Sequence, residues 1–270
     1  MFEQERKIKF ILITYTIYCA YIIGTSWDES YYHEIGKINL NYLLSFGIID
    51  EPFQYKYRFS TLYWSISSLI SQILPKKFNL EIYHIINAFI GLMTLVGLYK
   101  INKILFNKFI AKVSSYLLFF VPFFFGHLAV NNKDIILAFA HVWIIYYVYK
   151  YTFTNYELKK KILLIFKISL LSALGTGIQL LFLGSLIPII IIFLTIIFIK
   201  REKTIKIIFL DTIIFFLLFY SILILFWVDT HNNIITLPYD FIVKSFSINP
   251  GWPFNLLNGV YLKTNNIPFN

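Results

Sequence analysis

Apolar residues in this chain fall into long runs, and polar residues collect in the gaps between them. Seven runs approach the roughly 17 to 23 residues that a bilayer core requires. They are 8–25, 82–101, 109–127, 134–151, 162–178, 182–199 and 206–228. Each predicts a membrane-spanning helix, because a backbone in lipid has to satisfy its own hydrogen bonds. Residues 26–81 follow a different pattern. Tyr32, Ile35, Ile38, Tyr42 and Phe46 recur at helical spacing, with Glu34, Lys37, Asn39 and Asn41 between them. Leu62, Ile66, Leu69, Ile70 and Ile73 repeat this pattern, interrupted by Ser65, Ser67, Ser68, Ser71 and Gln72. Both stretches predict amphipathic helices lying along a membrane surface. After residue 228 the runs stop, and 229–270 reads as an outer loop carrying a surface helix near 238–247. The fold expected is an all-α polytopic membrane protein of about seven transmembrane helices, with surface helices in a long first outer loop.

Composition agrees: the chain is 58% hydrophobic, 20% aromatic and only 14% charged, more apolar than a water-soluble core can hide. The net charge of +10 does not point to nucleic acid, because the basic residues lie in short connectors and not on one polar domain. Their positions set an orientation. With a cytoplasmic N-terminus, 16 of the 24 basic residues fall inside, which places the first loop and the C-terminal tail on the non-cytoplasmic face. Reading 62–73 as a crossing would reverse this and put Lys100 to Lys112 outside. The first run follows Arg6, Lys7 and Lys9 as a signal peptide would, but no small-x-small cleavage pattern follows, so it reads as a retained anchor. Cys19 is the one cysteine, so there is no disulfide framework and no cysteine zinc site.

Candidate chemistry centres on Asp28 and Glu29, adjacent acids just beyond the first run. That position lies where a water-soluble acceptor and a lipid-borne donor can both reach. His33 follows five residues later as a possible substrate contact, and Asp134 opens the fourth run. Arg58 and Lys133 are the best-placed cations for a phosphate on the same side, Arg through bidentate contact and Lys as a point charge. A solvated boundary is the alternative reading of the acids, and snorkelling that of the cations. His141, inside the fourth run, reads most simply as a neutral histidine bonded to a neighbouring helix. One histidine among scattered acids does not make a metal site. No cofactor is identified, and a divalent metal is left open.

Trp27-Asp28-Glu29 at the end of the first run, the long first loop and the second loop Gly126-His127-Leu128-Ala129-Val130-Asn131-Asn132-Lys133-Asp134 together resemble the GT-C superfamily of membrane glycosyltransferases. Within it the chain resembles the branch of protein O-mannosyltransferases and the bacterial enzymes that take aminoarabinose or other sugars from polyprenyl phosphate. The tail Leu257-Asn258-Gly259-Val260-Tyr261, followed by Asn265-Asn266-Ile267-Pro268-Phe269, is similar to that family's outer-loop pattern. Members usually carry further spans, so the chain is expected to be an N-terminal portion. Many relatives carry an arginine near the position of Gln179, which takes a phosphate contact there out of the expectation.

The resemblance implies transfer of a sugar from a polyprenyl-phosphate donor to an acceptor hydroxyl on a lipid, glycan or protein, at the outer face of a bacterial cell membrane. Asp28 is then the general base, with Glu29 orienting the base or the acceptor. Membrane lipids are the other expected partners. A truncated inactive member, a transporter or an assembly subunit are the alternatives, although the chain shows no internal repeat of the transporter kind.

Overall fold

The computed structural model describes residues 2–26, 28–49, 60–75, 79–154, 156–200, 205–247, 254–257 and 260–263. They form two compact units, Met1–Val228 and Asp229–Asn270. The first holds α1 (Phe2–Ile22), α2 (Glu29–Leu44), α3 (Leu62–Ile73), α4 (Asn79–Leu105), α5 (Lys108–Phe120), α6 (Pro122–Val130), α7 (Asp134–Phe153), α8 (Leu158–Ile178), α9 (Phe182–Lys200) and α10 (Ile205–Leu225).

Five of these helices are long and apolar enough to cross a membrane: α4, α7, α8, α9 and α10. A sixth crossing is present if α5 and α6, bent by 70°, count as one broken span. The bend falls inside the expected run 109–127, where Pro122 at the start of α6 has no N–H with which to continue the α5 ladder. The expected first crossing, α1, is outside this set. Glu3, Glu5, Arg6, Lys7 and Lys9 occupy its first turns, and Phe10 to Ile22 is its uncharged stretch. Among the described residues, five or six helices are thus long and apolar enough for the seven crossings that the hydropathy pattern predicts.

Packing centres on α4, which touches α1, α5, α6 and α7, and continues from α7 to α8 and from α8 to α10. The largest core brings Trp143, Ile144 and Tyr146 of α7 against Leu171 of α8 and Phe182 and Leu186 of α9. Gly97 lets α4 approach α7: a methyl group there would lie 2.6 Å from Val142 Cγ1. The gap lets Trp143 Nε1 donate to the Met93 carbonyl at 3.0 Å. Many aliphatic and aromatic side chains on α9 and α10 face outward, among them Ile199 and Phe209. Exposed apolar helix faces of this kind suit lipid.

Two polar side chains on the spanning helices meet partners on neighbouring helices. His141 Nε2 lies 3.2 Å from Ser185 Oγ on α9, the neighbouring-helix bond expected for it. Asp211, which the sequence reading does not single out, is buried in α10, where Tyr151 Oη donates to it at 2.7 Å and Lys161 Nζ lies 2.8 Å away.

Helix α3 is twelve residues long, about 18 Å, too short to cross a bilayer. Its apolar stripe faces away from the protein: Ile66, Leu69, Ile70 and Ile73 are exposed, while Ser65, Ser67, Ser68 and Ser71 are buried. Each serine finds a partner. Ser65 Oγ pairs with Thr61 Oγ1, Ser67 Oγ donates to the Tyr63 carbonyl, and Ser68 and Ser71 share Tyr83 Oη. Helix α2 lies against α3, and a side chain at Gly36 would overlap the Trp64 carbonyl.

In the second unit α11 (Thr236–Ser247) covers the surface helix expected near 238–247. A hairpin follows that the sequence reading did not foresee, with β1 (Phe254–Leu257) antiparallel to β2 (Val260–Lys263) and Phe254 opposite Lys263.

Candidate functional site

Asp28 stands at the N-terminal cap of α2. Asp is favoured there because its carboxylate bonds the free amides of the first turn, yet this side chain makes no such bond. It turns instead to Lys133 on the α6–α7 connection, with Oδ2 2.5 Å from the ammonium. The two side chains are 40% and 35% exposed, so the pair is open to solvent and to a ligand. Lys133 also lies 4.3 Å from the centre of the Tyr32 ring, which stacks on Trp64 at 4.6 Å. Burial pulls the Lys133 pKa down, and hydrogen bonds with Asp28 and Tyr32 outweigh it, so the ammonium stands above its ordinary value.

The connection is built to present this lysine. Asn131 Oδ1 accepts from the backbone amides of Lys133 at 3.1 Å and Asp134 at 2.8 Å, while its Nδ2 donates to Asp134 Oδ2 at 2.9 Å. Asp134 is therefore tied into the start of α7 and is exposed beside Lys133. Beneath it, Asn87 of α4 donates to the carbonyls of Leu128 and Asn131, both at 3.0 Å, and accepts from Tyr63 Oη. One buried amide thus fastens α4, α3 and the end of α6 together.

Glu29 behaves unlike its neighbour. It is 1% exposed, and His84 Nε2 of α4 lies 3.1 Å from both of its oxygens. The Ser26 backbone amide donates to Oε2 at 2.7 Å. His84 Nδ1 is buried with no hydrogen-bond partner among the described residues. Glu29 is an anchor for the turn between α1 and α2, and that turn sets the position of Asp28. His33 stacks on Tyr83 at 3.7 Å. Burial pushes its pKa down to about 4, with His84 adding to the fall and Glu29 opposing it.

Of the residues selected from sequence, Asp28, Glu29, His33 and Lys133 come together, and Asp134 sits beside them at the head of α7. Arg58 lies outside the described residues, as does Trp27. Gln179 is exposed at the α8–α9 turn. The sequence reading passed over His84, Asn87 and Tyr32 as site residues. His84 and Asn87 had a signal: a histidine and an asparagine three residues apart lie on one face of a helix inside an apolar run. Among the described residues no three His, Cys, Asp or Glu side chains are grouped to hold a metal. Chemically, the arrangement offers the accessible Asp28 carboxylate, the Lys133 ammonium against it, and a buried acid–histidine pair anchoring the turn that carries Asp28. Comparison with protein-family models, curated proteins and solved structures finds no match for this chain.

Proposed function

We propose that this membrane protein is a glycosyltransferase that moves a sugar from a polyprenyl-phosphate donor to an acceptor hydroxyl at the non-cytoplasmic face of a bacterial cell membrane. The observation that carries the reading is the Asp28–Lys133 pair, formed between two loops that the charge distribution assigns to the same face. It joins the two groups the reaction needs, a base for the hydroxyl and a cation for the departing phosphate.

In the reaction, Asp28 takes the hydroxyl proton as the acceptor oxygen bonds to the anomeric carbon. The bond from that carbon to the phosphate oxygen breaks, and polyprenyl phosphate leaves with the electron pair. Lys133 rests on Asp28 until the donor phosphate draws it away, which frees the carboxylate to act as base. Glu29, His84 and Ser26 are positioning residues, held out of reach of substrate. The outward apolar stripe of α3, with Leu44 at the end of α2 and Phe46 and Ile48 beyond it, supports a lipid-bound donor beside the acid.

The test measures isoprenyl phosphate released by the full chain in liposomes, using isoprenyl-phosphate hexoses and pentoses as donors. Asp28→Asn is expected to lower turnover by about 100-fold or more while inserting into membranes normally. Turnover unchanged in Asp28→Asn would sink the proposal, and a carrier would show that indifference.

A further inference from the structure

The other ends of α4 and α7 hold a second charged cluster of opposite design. His84 and Lys100 are 16 residues apart on α4, about 24 Å along the helix. Because Gly97 brings α4 against α7, Lys100 lies over the Trp143 ring at 4.7 Å and the Tyr146 ring at 5.5 Å. Lys150 of α7 lies 5.0 Å from the centre of the Tyr146 ring, and Lys167 of α8 lies 5.3 Å from that of Tyr147. All three lysines are half-buried.

Ring faces attract a cation by roughly 0.5 to 2 kcal/mol but carry no charge to cancel it. Among the described residues none of these three ammoniums forms an ion pair with a carboxylate, whereas Lys112, Lys133 and Lys161 each do. Three like charges therefore share the end region of three spanning helices, where long lysine side chains reach the interface and meet lipid headgroups. The charge that completes the cluster is a phosphate. Next to Lys167, α8 exposes Leu163 and Phe166, and α4 exposes Ile104 and Leu105 beyond Lys100. A ligand with acyl chains covers such surfaces, and free phosphate leaves them bare.

We propose that Lys100, Lys150 and Lys167 bind the phosphate of an anionic phospholipid from the leaflet at the lysine-rich end of the bundle. Its acyl chains lie along the apolar flanks of α4 and α8. This does not depend on the transfer reaction proposed above.

Native mass spectrometry of the full chain, released from nanodiscs of equal parts phosphatidylglycerol and phosphatidylcholine, tests it. Wild type is expected to retain phosphatidylglycerol over phosphatidylcholine by at least about fivefold, the factor for about 1 kcal/mol from a single lysine near the surface. Lys100→Gln/Lys150→Gln/Lys167→Gln is expected to bring the ratio to near parity, and the corresponding triple arginine variant is expected to keep it. Equal retention of both lipids by wild type overturns the proposal, whether or not the glutamine variant folds. So does a folded glutamine variant with the wild-type ratio. Sodium phosphate added to lipid-stripped protein is expected to leave the apparent Tm unchanged, while phosphatidylglycerol raises it. An equal rise with sodium phosphate assigns the cluster to a free anion and overturns the lipid assignment.

Discussion

Charge is handled in opposite ways at the two ends of α4 and α7. Around Asp28 each group meets a partner from a distant segment: Lys133 pairs with Asp28, and His84 hydrogen-bonds Glu29. Around Trp143 three lysines rest on aromatic faces with no carboxylate among the described residues. In the first, the buried Glu29–His84 contact fixes geometry, since a buried polar group left without its partner is costly. The second leaves attraction unspent and suits a ligand that brings the opposite charge. Charge in a membrane bundle can thus serve as an internal lock or as an external handle, and pairing distinguishes the two.

Removing a partner at each end should separate the lock from the handle most clearly. His84→Ala leaves the buried Glu29 carboxylate with only the Ser26 amide and is expected to cost about 3–5 kcal/mol. Lys100→Ala is expected to cost less than about 1 kcal/mol, since it removes only a cation–ring contact. Apparent Tm in one detergent checks both, and comparable losses would erase the distinction. A Glu29→Ala/His84→Ala double variant should recover a coupling of about 0.5–3 kcal/mol.

Glycine substitutions sharpen the comparison at a smaller scale. Gly36→Ala meets the Trp64 carbonyl, which is backbone and cannot turn aside, whereas Gly97→Ala first meets a Val142 methyl. Gly36→Ala should cost about 1–3 kcal/mol and Gly97→Ala less, by the same thermal measurement.

The smallest effect is a pH dependence confined to the Asp28 end. His33 titrates at about 4 when folded, below its ordinary value of 6.5. The unfolded chain therefore binds the extra proton first as pH falls, so His33's contribution is complete above pH 6.5 and lost on descent toward 4. Apparent Tm should fall across that window in wild type and fall less in His33→Gln.

Much of the helical order was legible from runs of apolar residues, because burial in lipid is a local property of composition. The break at Pro122 and the end of α1 at Ile22 set these two runs apart from the five unbroken candidate spans, since hydropathy alone does not register a missing N–H or where a helix stops. Of the candidate site, Asp28 and Lys133 could be chosen one at a time by residue type and side of the membrane. That they touch could not be read, and the separate fates of two adjacent acids could not be read either. Helical geometry turns Glu29 toward α4 and leaves Asp28 at the rim.

Sequence alone determined the membrane class, the approximate extents of the spanning helices and the lysine bias between their ends, all properties of short stretches. Tertiary structure decided that residues 105 apart form the accessible pair and residues 55 apart the buried one. It also decided that α3 turns its serines inward. In water the apolar stripe of such a helix would seek the core, but beside lipid the solvent is itself apolar. Hydrogen bonding then becomes the reason to face the protein.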